Sequence, residues 1–274
     1  MPLTTASVRL HPRLGDPAGN LAASVAAIEA AGEAGARLIV LPELCTSGYC
    51  FADDAEADAA CQPIPGPATE AWTALARRFD AVIVAGLAER DADGGGRRNS
   101  AVAVGPDGVL AVYRKVHLWG RECEWFAPGD ETPPVVVTPV GRIGIGVCYD
   151  LWFPEFWRSL ADHGAEVLAF PSNLTDAPPI ATADHVYTAV ARTAAHLTRV
   201  PVVVADRCGS ERGTTWVGLA LIVDGEGGVI GRPARDDDSP ETVLATLPDP
   251  APRTTDLSPW NDVVGDRRPD VLGG

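Results

Sequence analysis

No apolar run in the 274-residue chain reaches the ~18 residues a membrane-crossing helix needs. The opening MPLTTASVRL lacks a cationic stretch followed by an apolar core and a small-residue cleavage site. The expectation is a cytoplasmic chain with no membrane partner. Positive charge is scarce: Lys and Arg total 22 against 37 Asp and Glu, a net charge of −15 that repels phosphate backbones and argues against nucleic acid as a partner. No CxxC pair occurs, and a chain of this length folds without disulfides, so the six cysteines read as free thiols. His11, His117, His163, His185 and His196 are scattered and none sits in HExxH, so no metal site is expected. The glycine patterns GRIGIG (141–146) and GEGGVIG (225–231) lack the GxGxxG spacing and read as hairpin turns, so no dinucleotide or other cofactor is expected.

What is present is an ordinary globular balance, 46% hydrophobic and 22% charged, and a length that suits one large domain over 1–274. No internal repeat is visible. The Ala-rich segment 20–36, with Leu21, Val25 and Ile28 on one face, predicts a helix, and LIVLPE (38–43) after it predicts a buried strand. A helix at 68–79 and a strand at 81–89 repeat the unit. Residues 101–115 read as a hairpin turned at Pro106-Asp107-Gly108, and 135–148 as a second. A helix from 153 to Gly164, a strand after it, a helix near 184–198, a strand at 201–206, a hairpin over 218–233 and a strand at 241–247 complete the pattern. The stretches 91–97 and 236–240 read as loops. Helices alternating with both strands and hairpins predict layered α/β with mixed sheets, not a purely parallel one.

Three apolar strands terminate in groups capable of chemistry: Glu43 ends LIVLPE, Lys115 ends LAVYRK and Cys148 ends IGIGVC. Ligands of α/β sheets bind outside the carboxyl ends of the strands. A thiol is a weak nucleophile until deprotonated. A carboxylate in an apolar pocket has its pKa raised toward neutrality and can serve as the base. An ammonium, with the backbone N–H after Cys148, can stabilise a thiolate and an oxyanion. The set therefore supports acyl transfer through a thioester. Taken singly, each residue has a plainer reading: Cys148 as a small buried hydrophobe, Glu43 as a surface or capping carboxylate, Lys115 as a solvated strand end. Spacing alone does not bring them together.

LPELCTSGYCF (41–51), YRKVHLWGRECEWFAPGD (113–130) and GVCYDLWFPEFWRSLADHGAEVLAFPSN (146–173) resemble the three signature segments of the nitrilase, or carbon-nitrogen hydrolase, superfamily. Residues 8–20, 202–213 and 266–270 are also similar to family segments. The resemblance implies a four-layer α-β-β-α sandwich in one domain, pairing into homodimers or larger assemblies through outer helices. It implies Glu43 as general base, Lys115 as oxyanion-stabilising lysine, Cys148 as nucleophile and Glu122 as a second glutamate, with Glu124 its nearest rival. The chain departs from many relatives at His11 and at Ala195-His196. His196 is open between a satisfied core or interface histidine and a pocket residue.

Cys148-Tyr149-Asp150 resembles the amidase and carbamoyl-hydrolase branches more than the Cys-Trp-Glu of many nitrilases, favouring a small-molecule amide over a nitrile or an N-carbamoyl substrate. Tyr149, Trp152, Trp119 and Asn173 are the candidate substrate-binding residues, with Trp125 a weaker one; an aromatic lining favours a flat or apolar acyl group. Trp125 and Trp157 read more simply as packing. No arginine lies within 148–155 to pair with a substrate carboxylate, though Arg121 or Arg192 can reach in. The non-enzyme alternative is a catalytically silent scaffold. A glutamine-fed synthase or membrane acyltransferase would need a second domain or a membrane span.

Overall fold

The structure, a computed structural model, describes residues 2–91, 96–175, 185–233, 239–248 and 255–272. Parts of the two expected loops, 92–95 and 236–238, and residue 184 of the expected helix fall outside these residues. The chain begins with β1 (Leu3–Arg9), α1 (Pro17–Glu33), β2 (Leu38–Val40), α2 (Asp54–Ala60), α3 (Pro67–Phe79) and β3 (Val82–Arg90). β4 (Arg97–Gly105), β5 (Gly108–Arg114), α4 (Glu122–Trp125), β6 (Val135–Thr138) and β7 (Gly141–Ile145) follow. The second half carries α5 (Pro154–Asp162), β8 (Val167–Pro171), α6 (Val186–Thr198) and β9 (Val202–Ala205), then strands Leu221–Val223, Val229–Gly231 and Glu241–Leu247.

Local chemistry explains where these elements begin and end. Helix α1 starts three residues earlier than its apolar spacing predicts, because the Asp16 carboxylate accepts the Gly19 N–H at 2.9 Å and Pro17 stands at the first turn. Between β4 and β5 the chain reverses at Gly108, whose φ of +126° is costly for any residue with a Cβ. The short helices α2 and α4 were not anticipated, being too brief for a periodic signal.

Two six-stranded mixed sheets result. In the first, β1, β2 and β3 run parallel, Glu241–Leu247 pairs antiparallel with β1, and β4 and β5 extend the other edge antiparallel. In the second, β7, β8 and β9 run parallel, β6 flanks β7, and Leu221–Val223 and Val229–Gly231 flank β9. Each half thus runs strand, helix, strand, helix, strand in parallel, a repeat of topology with no repeat of sequence behind it.

The alternation within the strands shows why the sheets stack. On β2 and β3, Leu38, Val40, Val82 and Val84 pack toward the second sheet. Their neighbours Ile39, Leu41, Ile83 and Ala85 pack under α1 and α3 against Ile28, Trp72 and Ala76. A strand buried on both faces reads as a continuous apolar run, as LIVL does. The second sheet is covered on its far side by α5 and α6 through Phe156, Trp157, Leu160, Ala191 and Ala195. The expected four-layer α-β-β-α sandwich is therefore observed, with Trp157 in its core as the packing reading held.

Candidate active site

Four strand ends of the two sheets deliver the reactive residues to one cleft. Strand β5 is reached from β3 by two antiparallel reversals, so it points the same way as β2 and β3 and its last residue, Arg114, leaves Lys115 at their carboxyl edge. Glu43 lies three residues past β2, Cys148 three past β7, and Asn173 two past β8. The expectation that Glu43 and Cys148 themselves end their strands is corrected here. The Glu43 N–H has left its own sheet and donates to the Ser172 carbonyl of the other sheet at 3.3 Å. Room for this crossing depends on Gly86 of β3, where a Cβ would come 2.5 Å from the Glu43 Cα.

Cys148 opens a single turn of 3-10 helix, Cys148–Trp152, at a φ of +47°, a left-handed conformation that costs roughly 1–3 kcal/mol for a residue with a side chain. Asp150, fully buried, holds that turn. Its Oδ2 accepts the Val147 N–H at 2.9 Å and the Tyr113 hydroxyl at 2.8 Å, and its Oδ1 accepts the His117 backbone N–H at 3.2 Å and lies 2.7 Å from His117 Nδ1. The His117 ring in turn stacks on Phe153, centroids 3.7 Å apart. The nucleophile's backbone is thus over-determined by a carboxylate two residues away.

The charges meet at Lys115. Its Nζ donates to Glu43 Oε1 at 2.7 Å and to Glu122 Oε1 at 2.9 Å, and none of the three residues is more than 2% exposed. Asn99 Nδ2 donates to the same Glu43 oxygen at 2.7 Å, while Glu43 Oε2, also buried, has no partner. Glu122 accepts the Trp119 N–H at 3.1 Å through Oε2 and the Tyr49 hydroxyl through Oε1. On the opposite wall the Cys148 thiol points at the Asn173 carbonyl, 3.7 Å away, and both polar atoms of the Asn173 side chain are buried without a partner.

Burial sets the proton affinities. Loss of water raises Glu43 from 4.5 to about 7; the Lys115 charge works against this rise and the Glu122 charge adds to it. Burial opposes the charge of Lys115, yet Glu122 and Glu43 together hold its pKa above the ordinary value, so it remains an ammonium. The Cys148 thiol is pushed well up by burial and by the Glu43 charge, with Lys115 opposing. The resting site is a neutral thiol, a carboxylate able to take a proton near neutrality through its free oxygen, and a fixed positive charge. That is the complement for a thiol addition to a polarised carbon with the proton passing to a carboxylate.

A cavity of about 520 Å³ leads inward, with Tyr49, Phe51, Trp119, Glu122, Trp125 and Thr175 among its walls. Trp119, a candidate from sequence, lines it directly. Tyr149 packs edge-on against Trp119 with centroids 4.9 Å apart, and Trp152, 38% exposed, lies edge-on to Tyr187 and does not line the cavity. Glu124, the rival of Glu122, is exposed and paired with Arg121 at 2.7 Å, away from Lys115. Arg192 is turned to the Gly227 carbonyl, and His196 is a surface residue bonded to the Glu226 carbonyl at 2.9 Å, in neither core nor cavity.

Sequence reading passed over Tyr49, Asn99 and Asp150. A signal was available at Lys115: it is the only lysine in the 274 residues, where every other strong base is arginine. A compact ammonium fits between two carboxylates where a planar guanidinium does not.

The carbon-nitrogen hydrolase family profile matches residues 4–251. The chain is 36% identical over 269 residues to a nitrilase of Pyrococcus abyssi, covering 96% of each sequence. It is 34% identical over 236 residues to an (R)-stereoselective amidase of Pseudomonas sp., covering 84% of this chain and 80% of that one. A Glu-to-Gln mutant of the amidase from Nesterenkonia sp. AN1, 26% identical, matches with a TM-score of 0.78 over 98% of this chain and 94% of that one, and there the acetamide moiety of fluoroacetamide is covalently added at the active-site cysteine. Likeness that runs from one end of both sheets to the other, in sequence and in fold alike, makes this chain a member of the carbon-nitrogen hydrolase family, an enzyme that hydrolyses carbon-nitrogen bonds.

Proposed function

We propose that this enzyme hydrolyses a small neutral amide to its carboxylic acid and ammonia. The observation that carries the reading is the buried bridge of Lys115 between Glu43, 2.7 Å away, and Glu122, 2.9 Å away, on the same cleft as the left-handed turn of Cys148. In this reading Glu43 Oε2 takes the thiol proton as Cys148 Sγ attacks the amide carbonyl carbon. Lys115 and the Tyr149 N–H hold the oxyanion, and Glu122 fixes Lys115 and the substrate. Glu43 passes the proton to the leaving nitrogen, ammonia departs, and a thioester remains. Water then gives a proton to Glu43, its hydroxide adds to the thioester, and the acid leaves as the thiol regains that proton. Four side chains supply the nucleophile, the base and the positive charge that holds the oxyanion, so the balanced steps call for no metal or cofactor. Trp119, Tyr149 and Asn173 are proposed to face the acyl group. One domain over 1–274, residence in the cytoplasm and pairing into a homodimer or larger assembly complete the proposal; light scattering that returns a monomer mass would remove the last.

A nitrile is the second reading, favoured by the 36% identity to the Pyrococcus abyssi nitrilase. An ammonia-release screen over matched amide, nitrile and N-carbamoyl compounds separates the three, since only the N-carbamoyl class also yields carbon dioxide. The amide is expected to exceed its nitrile at least ~10-fold in kcat/KM. The reverse order overturns the amide assignment, and failure on every compound at high enzyme concentration favours a narrow specialised substrate or the silent scaffold.

The raised pKa of Glu43 has a kinetic consequence. The base acts only when ionised, so kcat/KM is expected to fall about tenfold per pH unit below about 7, far above the 4.5 of an ordinary glutamate. A profile flat down to pH 5 would remove Glu43 as the base. Stability moves the opposite way. Between pH 4.5 and about 7 the folded chain keeps a proton that the unfolded chain releases, so the contribution of Glu43 weakens as pH rises through that window and levels off above it.

A further inference from the structure

The segment 207–216 takes no part in the steps above, yet it touches both walls of the cleft. Arg207, fully buried two residues past β9, places Nη1 2.7 Å from Glu211 Oε2, donates through Nη2 to the Pro12 carbonyl at 2.7 Å and covers the Trp216 ring with its guanidinium carbon 4.6 Å from the centroid. Glu211 Oε1 accepts two consecutive backbone N–H groups, Tyr49 at 3.0 Å and Cys50 at 2.9 Å. The Trp216 ring meets Tyr49 edge-on, centroids 5.0 Å apart. Toward the other wall, the Val217 N–H donates to the Leu174 carbonyl at 2.8 Å, next to Asn173.

We propose that Glu211 is a positioning residue of the reaction, acting through Tyr49 on Glu122. The physical argument is one of reach. A carboxylate that accepts two successive amides fixes that stretch of backbone, and a tyrosine has only two torsions between its backbone and its ring, with Trp216 set against the ring. The hydroxyl is therefore delivered to a fixed point, where it donates to Glu122 Oε1, the oxygen that also receives Lys115. Displacing Tyr49 displaces Glu122, and Lys115 with it, and misplacement by about 1 Å costs on the order of 10²-fold in rate. A buried Arg–Glu pair is a weak device for stability, since apolar side chains of the same size do as well or better, but it holds direction well. The inference rests on the proposed role of Glu122 in the amide reaction.

Two substitutions separate reach from charge. Glu211→Gln keeps the length and one acceptor oxygen but loses the charge that pairs with Arg207. Glu211→Asp keeps that charge but is one methylene too short to serve both amides. With an amide that the wild-type enzyme hydrolyses, Glu211→Gln is expected to keep kcat within ~3-fold, and Glu211→Asp to lower it ~10-fold with KM little changed. Tyr49→Phe is expected to lower kcat ~30-fold, and adding Glu211→Asp to it to cost no more than ~2-fold further, because the hydroxyl through which Glu211 acts is already gone. Melting temperatures taken alongside report folding separately from rate. Glu211→Asp at wild-type kcat, Glu211→Gln slower than Glu211→Asp, or fully multiplicative losses in the double variant would each overturn the proposal. A wild-type enzyme inactive on every amide would instead overturn the proposed function and leave this cycle without a substrate.

Discussion

Cys148→Ala is expected to lower ammonia release from any substrate by at least about 10⁴-fold, the scale on which covalent catalysts lose rate when the nucleophile is removed. The fold should persist. Cys148 is buried at the edge of the core shared by the two sheets, and removing one sulfur opens a void too small to cost more than about 1–2 kcal/mol. Alanine also inherits the left-handed φ of +47°, no worse for it than for cysteine. Cys148→Ser is expected to be nearly as inactive: a base of pKa about 7 can take a proton from a thiol, but an alcohol is a far weaker acid. Iodoacetamide offers a second readout. The wild-type protein should alkylate at Cys148 ahead of Cys45, Cys50, Cys61, Cys123 and Cys208, even though Cys123 is the exposed thiol, because Cys148 shares its cleft with Glu43, whose unpartnered oxygen can take the thiol proton as the sulfur attacks. Ammonia release by Cys148→Ala at the wild-type rate would remove the thioester mechanism altogether.

Lys115→Met is expected to fail in two ways at once. Activity should fall by about 10³-fold or more, because the developing oxyanion loses its ammonium in a buried site where bulk solvent screens little. Stability should fall by about 3–5 kcal/mol, the usual cost of deleting one partner from a buried ion pair, because Glu43 and Glu122 are left facing each other without a cation. The charge reading has its own control. Adding Glu43→Gln to Lys115→Met removes one of the two stranded carboxylates, so it should recover stability without recovering activity. If Lys115→Met unfolds at the wild-type midpoint, or if the double variant is less stable than the single, the ionic description of the cluster is wrong. Lys115→Arg is expected to be poor as well, since a planar fork does not occupy the space a point charge fills between two carboxyl groups.

How much of this was legible in the sequence differs from residue to residue. The LIVL run announced a strand buried on both faces, and the second sheet covers one face while α1 and α3 cover the other. The three quoted segments named Glu43, Lys115, Cys148 and Glu122 through their resemblance, and these are the residues gathered in the cleft. Strand ends were less legible, because Leu41-Pro42 and Gly146-Val147 continue the apolar pattern after the strands have stopped; the Glu43 N–H turns to the Ser172 carbonyl of the other sheet and the Val147 N–H to the Asp150 carboxylate. Tyr49 and Asn99 were missed because each acts by a contact with a residue distant along the chain, Glu122 and Glu43 respectively, that no local pattern encodes, and Asp150 because its bond to the nearby Val147 N–H is matched by one to the distant Tyr113 hydroxyl.

The amino-acid sequence by itself determined the alternation of helices and strands, the acidic surface, the family and the identity of the reactive groups, since these are properties of local period, composition and short motifs. Only the tertiary structure decided that Lys115 lies between two carboxylates, that one oxygen of Glu43 is left free, that Asp150 holds the nucleophile's turn and that Glu211 reaches Tyr49. The reason is physical. A pKa or an orientation is set by which groups share a buried volume, and that volume exists only after two sheets, built from strands far apart in the chain, have closed on each other.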